Sequence, residues 1–188
     1  MILIHNSFRP LLTSSYIMKP LFFILLAQLS FSVSAVDDLP ARRQHDDDED
    51  LLPFIKIKYA TDFSQLAEVA RTEGKIILLE VSASDCDYCD LLEEEFIKPM
   101  LRSGDYTDVL IRKIDMDSFH MIRDFSSETT SPDEFTRGLK IKLTPTLLFF
   151  DGHGNEISQR IVGINSLDLY GGYIDDALKT GLKKIKSQ

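Results

Sequence analysis

The chain has 188 residues, 44% hydrophobic and 27% charged, which suits one globular domain with extensions. Its 21 basic and 30 acidic residues give a net charge of −9, which argues against binding nucleic acid or an anionic membrane through overall charge. There are two cysteines, no tryptophan and no visible internal repeat.

The N-terminus reads as a targeting segment rather than fold. Lys19 supplies a positive region, Leu21 to Leu29 an apolar core extended by Phe31 and Val33, and Val33-Ser34-Ala35 a small-residue cleavage signal. The apolar run is short for a membrane span, so cleavage near Ala35 is expected, with no stable membrane insertion afterwards. Met18-Lys19-Pro20 would open a signal peptide by itself, so residues 1–17 read as an upstream extension with Met18 as the true start. Residues 1–35 hold Arg9, Lys19 and no acid. The remaining chain thus carries 19 basic and 30 acidic residues, a net −11.

Residues 36–52 read as an acidic flexible linker centred on His45-Asp46-Asp47-Asp48-Glu49-Asp50. That run lacks the alternating ligands and the glycine of a calcium loop. Residues 53–188 are the expected domain. The last residues, Lys183-Lys184-Ile185-Lys186-Ser187-Gln188, form no endoplasmic-reticulum retention signal, and the expected location is a bacterial periplasm.

Within the domain, Phe54 to Tyr59 alternates apolar and polar and predicts an edge strand. Asp62 with Gln65 predicts a capped helix, with Phe63, Leu66, Ala67 and Ala70 buried and Gly74 ending it. Lys75 to Val81 is a continuous apolar strand suited to the centre of a sheet covered on both faces. A helix follows Cys86 to about Lys98, where Pro99 interrupts or kinks it. Cys89, Leu92, Phe96 and Met100 share its inner face, and Glu93, Glu94 and Glu95 fall mostly on the solvated side.

Val109 to Asp115 is another strand. Phe119, Ile122 and Phe125 suggest a short helix, and Ser126 to Thr130 a loop. Ser131-Pro132-Asp133-Glu134 opens a short helix. Leu143 to Phe150 is a strand, Asp151 to Asn155 a turn and Glu156 to Val162 its hairpin partner. Ser166 opens a last helix with Leu167, Tyr170, Ile174, Ala177, Leu178, Leu182 and Ile185 along one side. The order β-α-β-α-β-α-β-β-α predicts an α/β fold, a mixed sheet between helical layers.

The chemistry concentrates at Cys86-Asp87-Tyr88-Cys89. A C-x-x-C alone serves zinc sites and redox sites alike. Here a buried strand precedes it and an amphipathic helix follows. A helix N-terminus presents free N–H groups and a positive dipole end, which stabilise a thiolate. Cys86 is then the exposed attacking sulfur and Cys89, one turn on, the resolving sulfur.

This arrangement resembles the thioredoxin fold over roughly Phe54 to Ile185. Cys86-Asp87-Tyr88-Cys89 follows a central strand. Glu80 stands where thioredoxins place a buried acid, and Thr144-Pro145 stands at the family's cis-proline. The middle segment and Val162-Gly163-Ile164-Asn165 look like exported bacterial thioredoxin-like proteins, such as those associated with sulfur oxidation. The chain departs from thioredoxin itself at Asp85, where that protein has Trp, and at Asp87-Tyr88 between the cysteines. Thr144 before the proline is similar to periplasmic disulfide isomerases.

The resemblance implies thiol–disulfide exchange with periplasmic protein disulfides and a membrane thiol reductant as partners, no nucleic acid, no cofactor and no metal. Glu80 would shuttle the Cys89 proton. Asp87, Tyr88, Thr144 and Pro145 would meet the substrate, with Thr144 backbone pairing an extended segment. Asp85, Asp87 and Asp90 disfavour a neighbouring thiolate, which predicts a reducing rather than strongly oxidising couple. The rival reading is a non-catalytic binding or metal-chaperone module on the same fold. A peroxide-reducing enzyme ranks last, for want of a peroxide-site motif.

Overall fold

The computed structural model describes residues 54–187. The targeting segment and the acidic linker lie outside them. The first helix, α1, spans Phe63–Glu73. The Asp62 side chain accepts the Gln65 N–H at its start, and Gly74 ends it in a left-handed conformation. Strand β1, Ile76–Ser82, is buried along its whole length. Helix α2, Asp87–Leu92, runs through a π-helical turn, Glu93–Ile97, into α3, Lys98–Ser103. Strand β2 is Val109–Asp115, and β3, Ile122–Arg123, pairs with β4, Thr129–Thr130, in a separate small hairpin. Helix α4, Pro132–Gly138, is capped by the Ser131 hydroxyl, which accepts the Glu134 N–H. Strands β5, Thr146–Phe150, and β6, Ile161–Val162, precede the long α5, Leu167–Ile185.

The main sheet has the order β2-β1-β5-β6. β1 runs parallel to β2 and antiparallel to β5, so it is central and needs apolar residues on both faces. Ile76 and Leu78 face a cluster with Leu92, Ile97, Met100, Tyr170 and Ile174. Ile77, Leu79 and Val81 face Phe63, Leu66, Ala70 and Ile122. Helices therefore cover both sides of a mixed sheet, as the sequence pattern predicts.

Four local expectations are corrected. Phe54 to Tyr59 forms no ladder. Only Tyr59 bridges to Lys113, with the Lys113 N–H donating to the Lys58 carbonyl. Of its apolar residues Ile57 is buried, while Phe54 is 89% exposed, so the alternation has little face to cover. Phe119 to Phe125 is not a helix. Phe119 is 99% exposed, and Asp124 accepts the Ser126 and Glu128 N–H groups at the tip of the β3–β4 hairpin, a side-chain turn that competes with helix.

Pro99 neither ends nor breaks its helix. The Lys98 N–H donates five residues back to the Glu93 carbonyl. That wider turn makes room for the proline ring and lets the helix continue to Gly104. It also advances the inner face by one residue, so Ile97 is fully buried and Phe96 only half-buried. Finally, the return from Asn155 pairs at Glu156 and again at Ile161–Val162. Between them the chain turns its side chains to other elements: Ser158 donates to the Ala177 carbonyl of α5 and Arg160 to the Leu139 carbonyl.

Candidate functional site

β1 delivers the chain to the site. Two residues after its end, the Ser84 N–H and hydroxyl donate to the Asp117 carboxylate beyond β2. These bonds hold the Asp117 carboxyl below its ordinary value and pin the turn that precedes Cys86. Cys86 then occupies the cap of α2. Its carbonyl accepts the Cys89 and Asp90 N–H groups, and its Sγ lies 3.2 Å from the Cys89 nitrogen. Cys86 and Cys89 are joined by a disulfide, with Cα atoms 5.2 Å apart. Cys86 is partly exposed and Cys89 fully buried. Asp85, Asp87 and Asp90 form an exposed rim, and Tyr88 between the cysteines is 63% exposed.

Glu80 is fully buried in β1, in phase with Leu78 and so on the sheet face that the Cys89 helix covers. Neither of its oxygens has a hydrogen-bond partner among the described residues. Burial pushes its carboxyl up to about 8, assisted by the charge of Glu93. Thr144–Pro145 is a cis peptide at the start of β5. Thr146 pairs with Val81, so the antiparallel register carries Pro145 and Thr144 toward the end of β1 from which Cys86 follows. Thr144 is half-buried and Pro145 buried, and the Pro145 carbonyl accepts the Gly163 N–H. The register thus brings Cys86, Cys89, Asp87, Tyr88, Thr144 and Pro145 to the same end of the two central strands, with Glu80 within β1.

The thioredoxin-like domain family matches residues 63–178, more than half of the chain. The chain belongs to that family. Its solved neighbours are distant. A poplar thioredoxin h is 24% identical, with 61% of this chain and 86% of the other covered and a TM-score of 0.45. For a Nicotiana alata thioredoxin the values are 23%, 66%, 97% and 0.46, and for a Fasciola hepatica thioredoxin 15%, 66%, 99% and 0.46. No curated protein matches the chain.

This thioredoxin-like domain also carries a charged cluster that sequence reasoning missed. Lys113 pairs with Glu80 in the β1–β2 register. Its ammonium, however, bonds to Glu93 and lies 3.5 Å from Asp115 Oδ1. Burial alone would lower the Lys113 value, but Glu93, Asp115 and Tyr59 raise it. The Tyr59 hydroxyl donates to Asp115 Oδ2 at 2.9 Å. Glu93 is therefore not on the solvated side with Glu94 and Glu95; its side chain is only 13% exposed. The one signal in the sequence is that residues 111, 113 and 115 alternate on one strand face. No group of three or more metal-ligating side chains forms among the described residues. A thioredoxin-like domain with a close pair of cysteines supports thiol–disulfide oxidoreductase chemistry in general.

Proposed function

We propose that the protein is an exported, periplasmic thiol–disulfide oxidoreductase that works in the reducing direction on protein disulfides, and that it receives electrons from a membrane thiol reductant. The observation that carries the reading is the Cys86–Cys89 pair itself, with one sulfur reached from solvent and the other buried. In the reduced protein the Cys86 thiolate faces the first N–H groups of the helix, which stabilise it. It attacks one sulfur of the substrate disulfide and the other substrate sulfur leaves as a thiolate. Cys89 loses its proton and attacks Cys86 Sγ. The mixed disulfide breaks, the second substrate thiolate leaves, and the Cys86–Cys89 bond forms. Two electrons have passed to the substrate.

Glu80 is the base for the Cys89 proton. A carboxyl at about 8 is close to an ordinary thiol at about 8.5, so the proton passes between them with little free-energy difference. Asp87 and Tyr88 flank the attacking sulfur, and the Thr144 backbone before Pro145 offers a strand-like edge to an extended substrate segment. The exported location rests on the Leu21 to Leu29 segment and the Val33-Ser34-Ala35 signal. The similarity to sulfur-oxidation thioredoxin-like proteins rests on sequence features alone.

Insulin reduction tests the reading. The wild type should precipitate insulin chains with dithiothreitol as donor, and Cys86→Ser should not. Cys89→Ser should accumulate mixed disulfides through Cys86. An inactive wild type refutes the enzyme. A reduction potential as high as about −120 mV, the range of strong periplasmic oxidants, refutes the direction.

A further inference from the structure

Glu80 and Lys113 lie side by side on adjacent parallel strands, with side chains on the same face. A buried carboxylate would ordinarily take such a cation as its partner. Here the cation is occupied. Lys113 Nζ bonds to Glu93 and reaches Asp115, while both Glu80 oxygens stay unpartnered among the described residues. The Lys113 and Glu93 side chains are each 13% exposed, so their attraction is screened far less than that of a surface pair.

We propose that Glu93 is a positioning residue: by engaging the Lys113 ammonium, it keeps that charge off Glu80 and leaves the Glu80 carboxyl protonated as the proton donor to Cys89. The proposal rests on the dithiol reading above. When a donor dithiol reloads the protein, one donor thiolate attacks Cys86 Sγ and the Cys86–Cys89 bond breaks. The electron pair goes to Cys89 Sγ, which takes the Glu80 proton. The second donor thiolate then breaks the mixed disulfide, Cys86 leaves as a thiolate, and the donor ends as a disulfide. An ionised Glu80 clamped to Lys113 would have no proton to give.

The groups facing Glu80 come from several elements. β2 brings Lys113 and Asp115, the α2 helix and its π turn bring Asp90 and Glu93, and α5 brings Tyr170. Tyr59 reaches the same cluster through Asp115. The β5 partner, Leu147, brings no charge. Among the acids, Glu93 acts most strongly on Glu80, and it alone of the helix residues holds Lys113.

The test is infrared titration of the full-length oxidised protein, following the protonated-carboxyl band that Glu80→Gln removes. The wild-type band should disappear with a midpoint near 8. Glu93→Gln should move the midpoint to acid by about tenfold or more in proton concentration, one pH unit. Glu93→Asp, which keeps the charge, should restore it. Glu93→Met serves the same purpose if the Gln variant does not fold. In a Lys113→Met background the Glu93→Gln shift should shrink, because the part that runs through Lys113 is gone and only the direct repulsion between Glu93 and Glu80 is left. No shift, or an equal shift in both backgrounds, overturns the proposal.

Insulin reduction should show the same acid displacement of its pH profile in Glu93→Gln. A moved midpoint with an unmoved profile in an active enzyme overturns the catalytic role. An inactive wild type refutes the reductase reading, and the band midpoint still decides whether Glu93 governs Glu80.

Discussion

Glu80 makes folding stability depend on pH in a window that is unusual for a carboxylate. Its folded value of about 8 stands above the unfolded value of 4.5. Between those two values the folded chain keeps a proton that the unfolded chain has released. Unfolding therefore releases a proton, and stability falls as pH rises, by about 1.4 kcal/mol per pH unit from this group. The contribution is flat below 4.5, falls through neutrality and is flat again above about 8, a total of about 5 kcal/mol. Replacing Glu80 by Leu removes the group and leaves an apolar side chain among Leu78, Leu147 and Tyr170. The assay is urea unfolding of the oxidised wild type and Glu80→Leu at several pH values from 5 to 8. The difference in free energy cancels the other titrating groups. It should grow by about 4 kcal/mol in favour of the variant across that range, at equal m-value. A difference that stays constant with pH would refute a protonated buried Glu80, and with it the proton-transfer role.

Two further predictions concern the opposite end of the sheet. A Cβ on Gly152 would sit 2.5 Å from the Arg71 backbone nitrogen in α1. Gly152→Ala should therefore destabilise by about 1–3 kcal/mol in urea unfolding, while leaving the reduction potential of the dithiol unchanged. A loss below about 0.5 kcal/mol would show that α1 shifts freely. Asp151 is buried and accepts the N–H groups of His153 and Asn155 and the Asn155 amide. Burial pushes its carboxyl up, but these bonds win and hold it below the ordinary 3.8. Its stabilisation is present above that value and is lost as pH falls through the folded one. Asp151→Ala should cost about 1–3 kcal/mol at neutral pH and lose that acid-linked fall, as thermal unfolding between pH 2 and 6 would show.

The legible parts of this fold were those decided locally. Asp62, Ser131 and Gly74 act on backbone groups within one turn, and each caps or ends its helix where the pattern placed it. The unbroken apolar run of β1 needs no partner to be recognised as central. The illegible parts depend on who lies alongside. Phe54 to Tyr59 has the alternation of a strand, but a strand also needs a neighbour along its length, and only Tyr59 bridges to one. Pro99 excludes a regular α-turn, yet sequence does not choose between ending the helix and widening it. The same limit applied at the site. The C-x-x-C was visible as a motif at the start of a helix, and the resemblance to thioredoxins singled out Glu80 and Thr144-Pro145. The β1–β2 register that sets Lys113 beside Glu80, and the π turn that opens at Glu93, are tertiary facts.

Under the proposed function two electrostatic layers act on the dithiol, and they differ in their response to solvent. Asp85, Asp87 and Asp90 are exposed. Their repulsion of a Cys86 thiolate passes through water and weakens as salt shortens the Debye length to about 8 Å at physiological strength. The Cys89 N–H against Cys86 Sγ, at 3.2 Å, and the Glu80, Glu93 and Lys113 cluster beneath are shielded from that screening. In the proposed reductase, raising salt should relieve the acidic rim and stabilise the thiolate while leaving the Glu80 proton in place. In that proposal the exposed rim sets how readily Cys86 attacks, and the buried cluster sets when Cys89 can give up or take its proton.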